Sequence, residues 1–145
     1  MFKHILLPTD GSNLSQVAIR KGVQFAKSIG AKVTGLCVIP SQKHYLYLTE
    51  ITDQLKEETA RQHKLQADRN LALVEKAAKE AGVPCETSCE TSDQPHESII
   101  QVAEKRGCDL IMMASHGRKG VAGLLLGSET QKVLTHSRMP VLVFR

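Results

Sequence analysis

The chain has 145 residues, 41% of them apolar and 23% charged, the composition of a globular domain, and one domain over 1–145 is expected. A chain of this length buries roughly 70% of its unfolded surface, which excludes the small scaffolds that need disulfides or metal to hold a core. The net charge of +4, from 19 Lys and Arg against 15 Asp and Glu, is interleaved with no run of four like charges, which argues against the clustered basic footprint of a nucleic-acid binder.

The first segment, Phe2 to Pro8, is a nearly continuous apolar run and reads as a buried strand. A helix follows from Asn13 to Ile29, with Leu14, Ala18, Gly22, Phe25 and Ile29 as its inner stripe and Gly30 as its stop. Lys32 to Ile39 is a second strand, ended by Pro40. Residues 41–50 have no clean period and read as a loop, where Tyr45 and Tyr47 either fold over a crevice as a lid or pack on the surface. A long helix covers Ile51 to Ala81, with Ala60, Lys64, Ala67, Leu71, Val74, Ala78 and Ala81 along its stripe. Gly82-Val83-Pro84 ends it and opens a third strand, Cys85 to Glu90, whose weak apolar character suits a sheet edge. Pro95 starts a helix through Arg106 that turns Ile99, Ile100 and Ala103 inward, and Gly107 stops it. Asp109 to Ser115 carries the most apolar run and is expected as the central strand. Ser128-Glu129-Thr130-Gln131 has the capping-box pattern and opens a helix to about Ser137, before a last strand, Met139 to Phe144.

Near-continuous apolar strands alternating with helices predict an α/β fold: a doubly wound, five-stranded parallel sheet, most simply ordered 3-2-1-4-5, with helices on both faces. Ligands of such sheets bind where the winding reverses, beyond the carboxyl ends of strands 1 and 4, here 8–12 and 114–128. No apolar stretch approaches the ~20 residues of a membrane span, and the opening is cut short for an export signal, so a cytoplasmic protein without a membrane partner is expected. Cys37, Cys85, Cys89 and Cys108 form no C-x-x-C pair. Cys85 and Cys89 either share a strand face and recruit a metal or serve as small buried hydrophobes.

The loop after strand 4 matches neither the Walker pattern nor the dinucleotide fingerprint. It does carry the ingredients of an anion cradle. Gly117 and Gly127 let backbone N–H groups approach a phosphate, Ser128 adds a hydroxyl at a helix start, and Arg118 and Lys119 add charge. Equally, the glycines shape a long turn and Ser128 is an ordinary cap. Glu129 repels phosphate if it points inward, and is expected to face solvent or to help hold a metal ion accompanying a polyphosphate. Asp10 either accepts from a base amino group or ribose hydroxyl in the crevice or serves as a turn residue with Gly11 and Ser12. His116 either donates to an oxyanion or is exposed. The other five histidines, His4, His44, His63, His96 and His136, have no metal-ligand spacing, and no nucleophile elbow occurs.

Pro8-Thr9-Asp10-Gly11-Ser12, then Ala114-Ser115-His116-Gly117, nine residues, Gly127-Ser128, and the closing Met139-Pro140-Val141-Leu142-Val143 resemble the universal stress protein family along essentially the whole chain. The resemblance implies a Rossmann-like fold of the adenine nucleotide alpha hydrolase type. In ATP-binding members the signature is G-x-x-G, nine residues, then G-[S/T]. It implies that Gly117, Gly127 and Ser128 hold phosphates, with His116, Arg118, Glu129 and Thr130 among the nucleotide-binding residues. By the same resemblance Asp10 and the backbone at Val38 meet adenine, and Pro8, Thr9 and Met113 line the pocket. Ala114 stands where the signature has its first Gly, and its methyl crowds the ligand if the backbone there needs positive φ. The function implied is an ATP-binding regulatory protein of the stress response, with Mg2+ or Mn2+ on the phosphates. The family's pairing of last strands across a two-fold axis implies a homodimer through Val141 to Phe144. No positioned base and charge clamp for rapid phosphoryl transfer is present, so at most slow ATP hydrolysis is expected. The alternatives are an ATPase or flavodoxin-like redox enzyme, the latter disfavoured by an aromatic content of 3%, and a family branch that binds no ATP and works through protein contacts.

Overall fold

A computed structural model describes residues 1–41, 43, 52–117 and 126–145. Strands β1 (His4–Pro8), β2 (Lys32–Ile39), β3 (Cys85–Thr91), β4 (Leu110–Ala114) and β5 (Val141–Phe144) alternate with helices α1 (Asn13–Ile29), α2 (Asp53–Ala81), α3 (Pro95–Arg106) and α4 (Ser128–His136). All pairings are parallel and the order is β3-β2-β1-β4-β5, the expected one. The middle strand is β1, and the most apolar strand, β4, lies inside the sheet between β1 and β5.

Alternation of side chains along the strands sends them to two cores. Ile5, Leu7, Val33, Leu110 and Met112 pack with Ile19, Val23 and Ala26 of α1 and Val74 and Ala78 of α2. Leu6, Leu36, Ile111 and Met113 pack with Ile99, Val102 and Ala103 of α3 and Val133 of α4. One helix pair therefore covers each face, and the winding reverses between β1 and β4. α2 comes close to the sheet at Gly35, where a Cβ would stand 2.9 Å from Val74 Cγ1.

The α1 stripe is rotated from its expected position. Ser15, Ala18, Ile19, Gly22, Val23 and Ala26 are buried, whereas Leu14, Phe25 and Ile29 flank the contact half-buried. Small residues let the helix lie close, and Ser15 is tolerated because its hydroxyl donates to Ser12 O at 2.9 Å and meets Thr9 Oγ1 at 3.1 Å. On α3, Ile99 and Ala103 face inward as expected, and Ile100 is only half-buried.

At the amino ends of β1 and β4, opposite the end where the crevice opens, the Asp109 carboxylate accepts from the N–H groups of Lys3 and His4 at 2.8 and 3.1 Å. His4 Nε2 meets Thr34 Oγ1 at 2.7 Å, and burial lowers the pKa of this ring. None of the four cysteines is in a disulfide. Cys85 packs against the α1/α2 core, Cys89 against Cys37, Ala67 and Leu71. Burial raises the thiols of Cys85 and Cys89 and pushes that of Cys108 up to about 11. Among the described residues no three His, Cys, Asp or Glu side chains are placed to hold a metal ion, and no helix is long and apolar enough to cross a membrane.

Candidate functional site

The crevice at the winding reversal is walled from the α3/α4 side. Pro8 follows Leu6 on that face, Val38 follows Leu36, and Met113 follows Ile111, so three expected pocket residues share one face at the carboxyl ends of β1, β2 and β4. Pro8 and Val38 are half-buried and Met113 is buried. Glu90, the register partner of Val38, shares that face and accepts from Ser88 Oγ at 3.1 Å.

Thr9 has the opposite parity, and its side chain is not part of this wall. It is buried against α1, where Oγ1 meets Ser15 Oγ and accepts from Gly11 N at 3.1 Å, while its own N–H donates to Leu36 O at 2.8 Å. These bonds stop β1 and start the turn. Gly11 takes it further with φ +79, a left-handed conformation that L side chains rarely adopt. Asp10 is exposed, and its Oδ1 accepts from Ser12 N at 2.9 Å, so the turn role is realised on one carboxylate oxygen. The other oxygen faces Gly117, where an added Cβ would stand 3.0 Å from Asp10 Cγ. The two loops thus meet in the crevice, and glycine at 117 leaves the carboxylate its place.

A buried amide behind Gly11 escaped the reading of the sequence. Asn70 of α2 is 5% exposed, accepts from Gln66 Nε2 at 3.0 Å and lies 3.9 Å from Cys37 Sγ. It interrupts the stripe Ala67, Leu71, Val74 on the inner face of α2, a position where a polar residue needs a partner.

At the start of α4 the structure corrects the capping box. The N-cap is Gly127, with φ −68 and ψ 153 and no side-chain cap bond; Ser128 is the first helical residue, and Gln131 Nε2 donates to Leu126 O at 3.1 Å. The Gly127 N–H donates to Ser115 O at 2.6 Å, which holds the helix start against the end of β4 and removes that N–H from phosphate binding. The N–H groups of Ser128, Glu129 and Thr130 are the ones without intrahelical acceptors, at the positive end of the helix dipole. Thr130 is buried and its hydroxyl donates to Ala114 O at 3.0 Å, so only its backbone can face a ligand. His116 is half-buried with Nδ1 at 3.1 Å from Ser115 Oγ. Arg118, Lys119, Tyr45 and Tyr47 lie outside the described residues.

Glu129 is half-buried and bridges two helices. Its Oε2 accepts from His96 N at 3.0 Å, capping α3, whose own N-cap Gln94 makes no side-chain bond, and its Oε1 accepts from Lys132 Nζ at 3.2 Å. Burial acts to raise this carboxyl, but the bonds from Lys132 and His96 outweigh it and hold the pKa below the usual range. A carboxyl lowered in the folded state adds stability above its unfolded pKa, and loses it as pH falls through the folded value. The stability gap between wild type and Glu129→Gln is therefore expected to be present at neutral pH and to close on acidification below the carboxylate range, as read by denaturant melts across pH.

Ala114 ends β4, pairs with Phe144 and lies on extended strand backbone with its side chain buried, 7% exposed. The positive φ that would make its methyl intrusive is not called for. Ala114→Gly is expected to leave nucleotide affinity within about twofold and to lower stability by about 1 kcal/mol, from lost methyl burial and added chain entropy. Calorimetric titration and thermal melts check both.

The model of the universal stress protein family matches residues 1–145. The chain is 32% identical to universal stress protein MJ0531 of Methanocaldococcus jannaschii, over all of this chain and 83% of that protein. The solved structure of protein MJ0577 from the same organism superposes with a TM-score of 0.83 at 29% identity, covering 99% of this chain and 95% of the other. A universal stress protein solved in complex with cAMP superposes with a TM-score of 0.69 at 25% identity, covering 99% and 97%. With the family match spanning every element of the doubly wound sheet and both crevice segments, the chain belongs to the universal stress protein family.

Proposed function

We propose that this chain binds ATP, with Mg2+ or Mn2+ on the phosphates, and acts as a regulatory, nucleotide-binding homodimer in the cytoplasmic stress response. The observation that carries the reading is the start of α4. A helix N-terminus with a glycine cap and no side chain in the capping place lies against the end of β4, next to Gly117 and Asp10, where backbone N–H groups can receive an anion. The phosphates would lie over Ser128, Glu129 and Thr130 N–H, with Gly117 and Gly127 keeping that space clear and His116 bordering it. Adenine would lie toward Val38, between Pro8 and Met113, with Asp10 accepting from the base or ribose. A relative solved with cAMP supports the adenine-nucleotide class. The Glu129 carboxylate is engaged with α3, so the divalent ion would be held by phosphate oxygens and water, as suits Mg2+.

The homodimer reading rests on β5. It is a sheet edge of Val141–Phe144 with Leu142 37% exposed, and pairing with a second copy would cover it. ATP would serve as a conformational signal or structural ligand. The test is a titration of the purified chain with ATP and Mg2+, with phosphate release followed in parallel. Binding without turnover above about 1 s⁻¹, the low end of typical enzymes, is expected, and faster multiple turnover would assign an ATPase instead.

A further inference from the structure

Away from the crevice, α3 and α4 border a cavity of about 280 Å³ lined by His96, Glu97, Ile100, Gln101 and His136. His96 stands in the first turn of α3 and His136 ends α4; their rings are 5.7 Å apart between centroids and tilted by 34°. His96 is 8% exposed, with Nδ1 3.2 Å from Glu129 Oε2, the same oxygen that accepts its backbone N–H. One ring nitrogen is thus held by a carboxylate, and the His96 ring lines the cavity together with His136.

A carboxylate on one imidazole nitrogen is the arrangement that orients a metal-ligating histidine. Two imidazoles on one tetrahedral ion, with metal–nitrogen bonds of about 2.0–2.1 Å, have centroids about 5 Å apart, close to the 5.7 Å between these two rings. Imidazole favours Zn2+, Ni2+ and Cu2+, whereas Mg2+ and Ca2+ prefer oxygen donors. Because no third His, Cys, Asp or Glu among the described residues converges on the same point, water completes the shell. The Glu97 carboxylate on the cavity wall adds favourable charge.

We infer that His96 and His136 form a binding site for one divalent transition-metal ion, with Glu129 as the residue that positions His96. The site is separate from the nucleotide reading, since neither imidazole lies in the crevice. Zn2+ is the probe. The chain, stripped with EDTA and dialysed, is titrated with Zn2+ in competition with a chelating dye, and thermal melts are run with and without the metal. One Zn2+ per chain in the micromolar range is expected, with a rise in Tm that millimolar Mg2+ neither reproduces nor competes away. His136→Ala should bind at least about tenfold more weakly and lose the Zn2+-dependent rise in Tm, because it removes one of two protein ligands. Its metal-free melt should match the wild type, since His136 is exposed. Glu129→Gln should weaken Zn2+ by about tenfold with both imidazoles in place, the size of effect an orienting carboxylate has. His63→Ala, on α2, should change nothing. Failure of the wild type to bind Zn2+ at 100 µM (~100 times the expected constant), unchanged affinity in His136→Ala, or displacement by Mg2+ would each overturn the assignment.

Discussion

Gly127→Val is expected to weaken ATP binding by at least about 100-fold, equivalent to about 2.7 kcal/mol, while the sheet stays folded. The cause is space and not backbone conformation, since φ −68 and ψ 153 suit any residue. A Cβ at 127 would stand 3.1 Å from His116 Cα, His116 Cβ and Ser115 O, and the two γ-methyls of valine reach further. Either the Gly127 to Ser115 bond breaks or the 115–117 segment moves. Both displace the α4 N–H groups from the end of β4. The helix itself stays anchored through buried Val133 and the Thr130 to Ala114 bond, so the loss of stability should stay near the ~1 kcal/mol of a poor N-cap. Gly127→Ala, needing a shift of only a few tenths of an ångström, should fall between the two. Unaltered affinity in the valine variant, by calorimetry on a chain with wild-type circular dichroism, would place the phosphates elsewhere.

Gly11→Ala should be the most destabilising single-methyl change in the crevice, by about 2–5 kcal/mol. Alanine at φ +79 costs about 1–2 kcal/mol, and its Cβ would stand 2.8 Å from Asn70 Cγ, an overpacking that costs about 1–3 kcal/mol. Asn70 cannot step aside freely, being buried and bonded to Gln66. Affinity for ATP should fall as well, because the turn that carries Asp10 moves with residue 11. A double mutant separates the two causes. Adding Asn70→Ala to Gly11→Ala should recover the steric part and leave the backbone part, giving a coupling energy of at least 0.5 kcal/mol, of the kind neighbouring residues show. Strict additivity of the two losses would mean that Asn70 does not press on the turn.

The element order and most strand limits were legible in the sequence because apolar runs bounded by Gly and Pro dictate them. α1 and α3 run over the expected residues, and β2 over Lys32–Ile39. What hydropathy could not carry was polar burial. Ser15 and Asn70 are inward because each finds a partner, Thr9 for one, and for the other Gln66 one turn back on α2 together with Cys37 of β2. The inner face of α1 turned accordingly, toward Ser15 and Ile19 and away from Leu14 and Phe25.

The site divides the same way. Pro8, Val38 and Met113 were expected from the family resemblance, and their convergence has its physical cause in strand parity and sheet order. The engagement of Glu129 with His96 joins residues 33 apart in sequence and has no local signature, so it was not legible in advance. The α4 cap moved by one residue because the Gly127 N–H closes onto Ser115 O, a contact that depends on the end of β4. A capping-box pattern describes only the four residues themselves.

The family membership makes nucleotide binding the claim on which the functional account stands, and equilibrium titration of the purified, nucleotide-free chain with ATP and Mg2+ tests it most directly. One ATP bound per chain, with Gly127→Val silent in the same cell, is the predicted result. No heat from the wild-type chain, together with no nucleotide released from it on denaturation, would contradict the account and leave a universal stress protein that works through protein contacts alone.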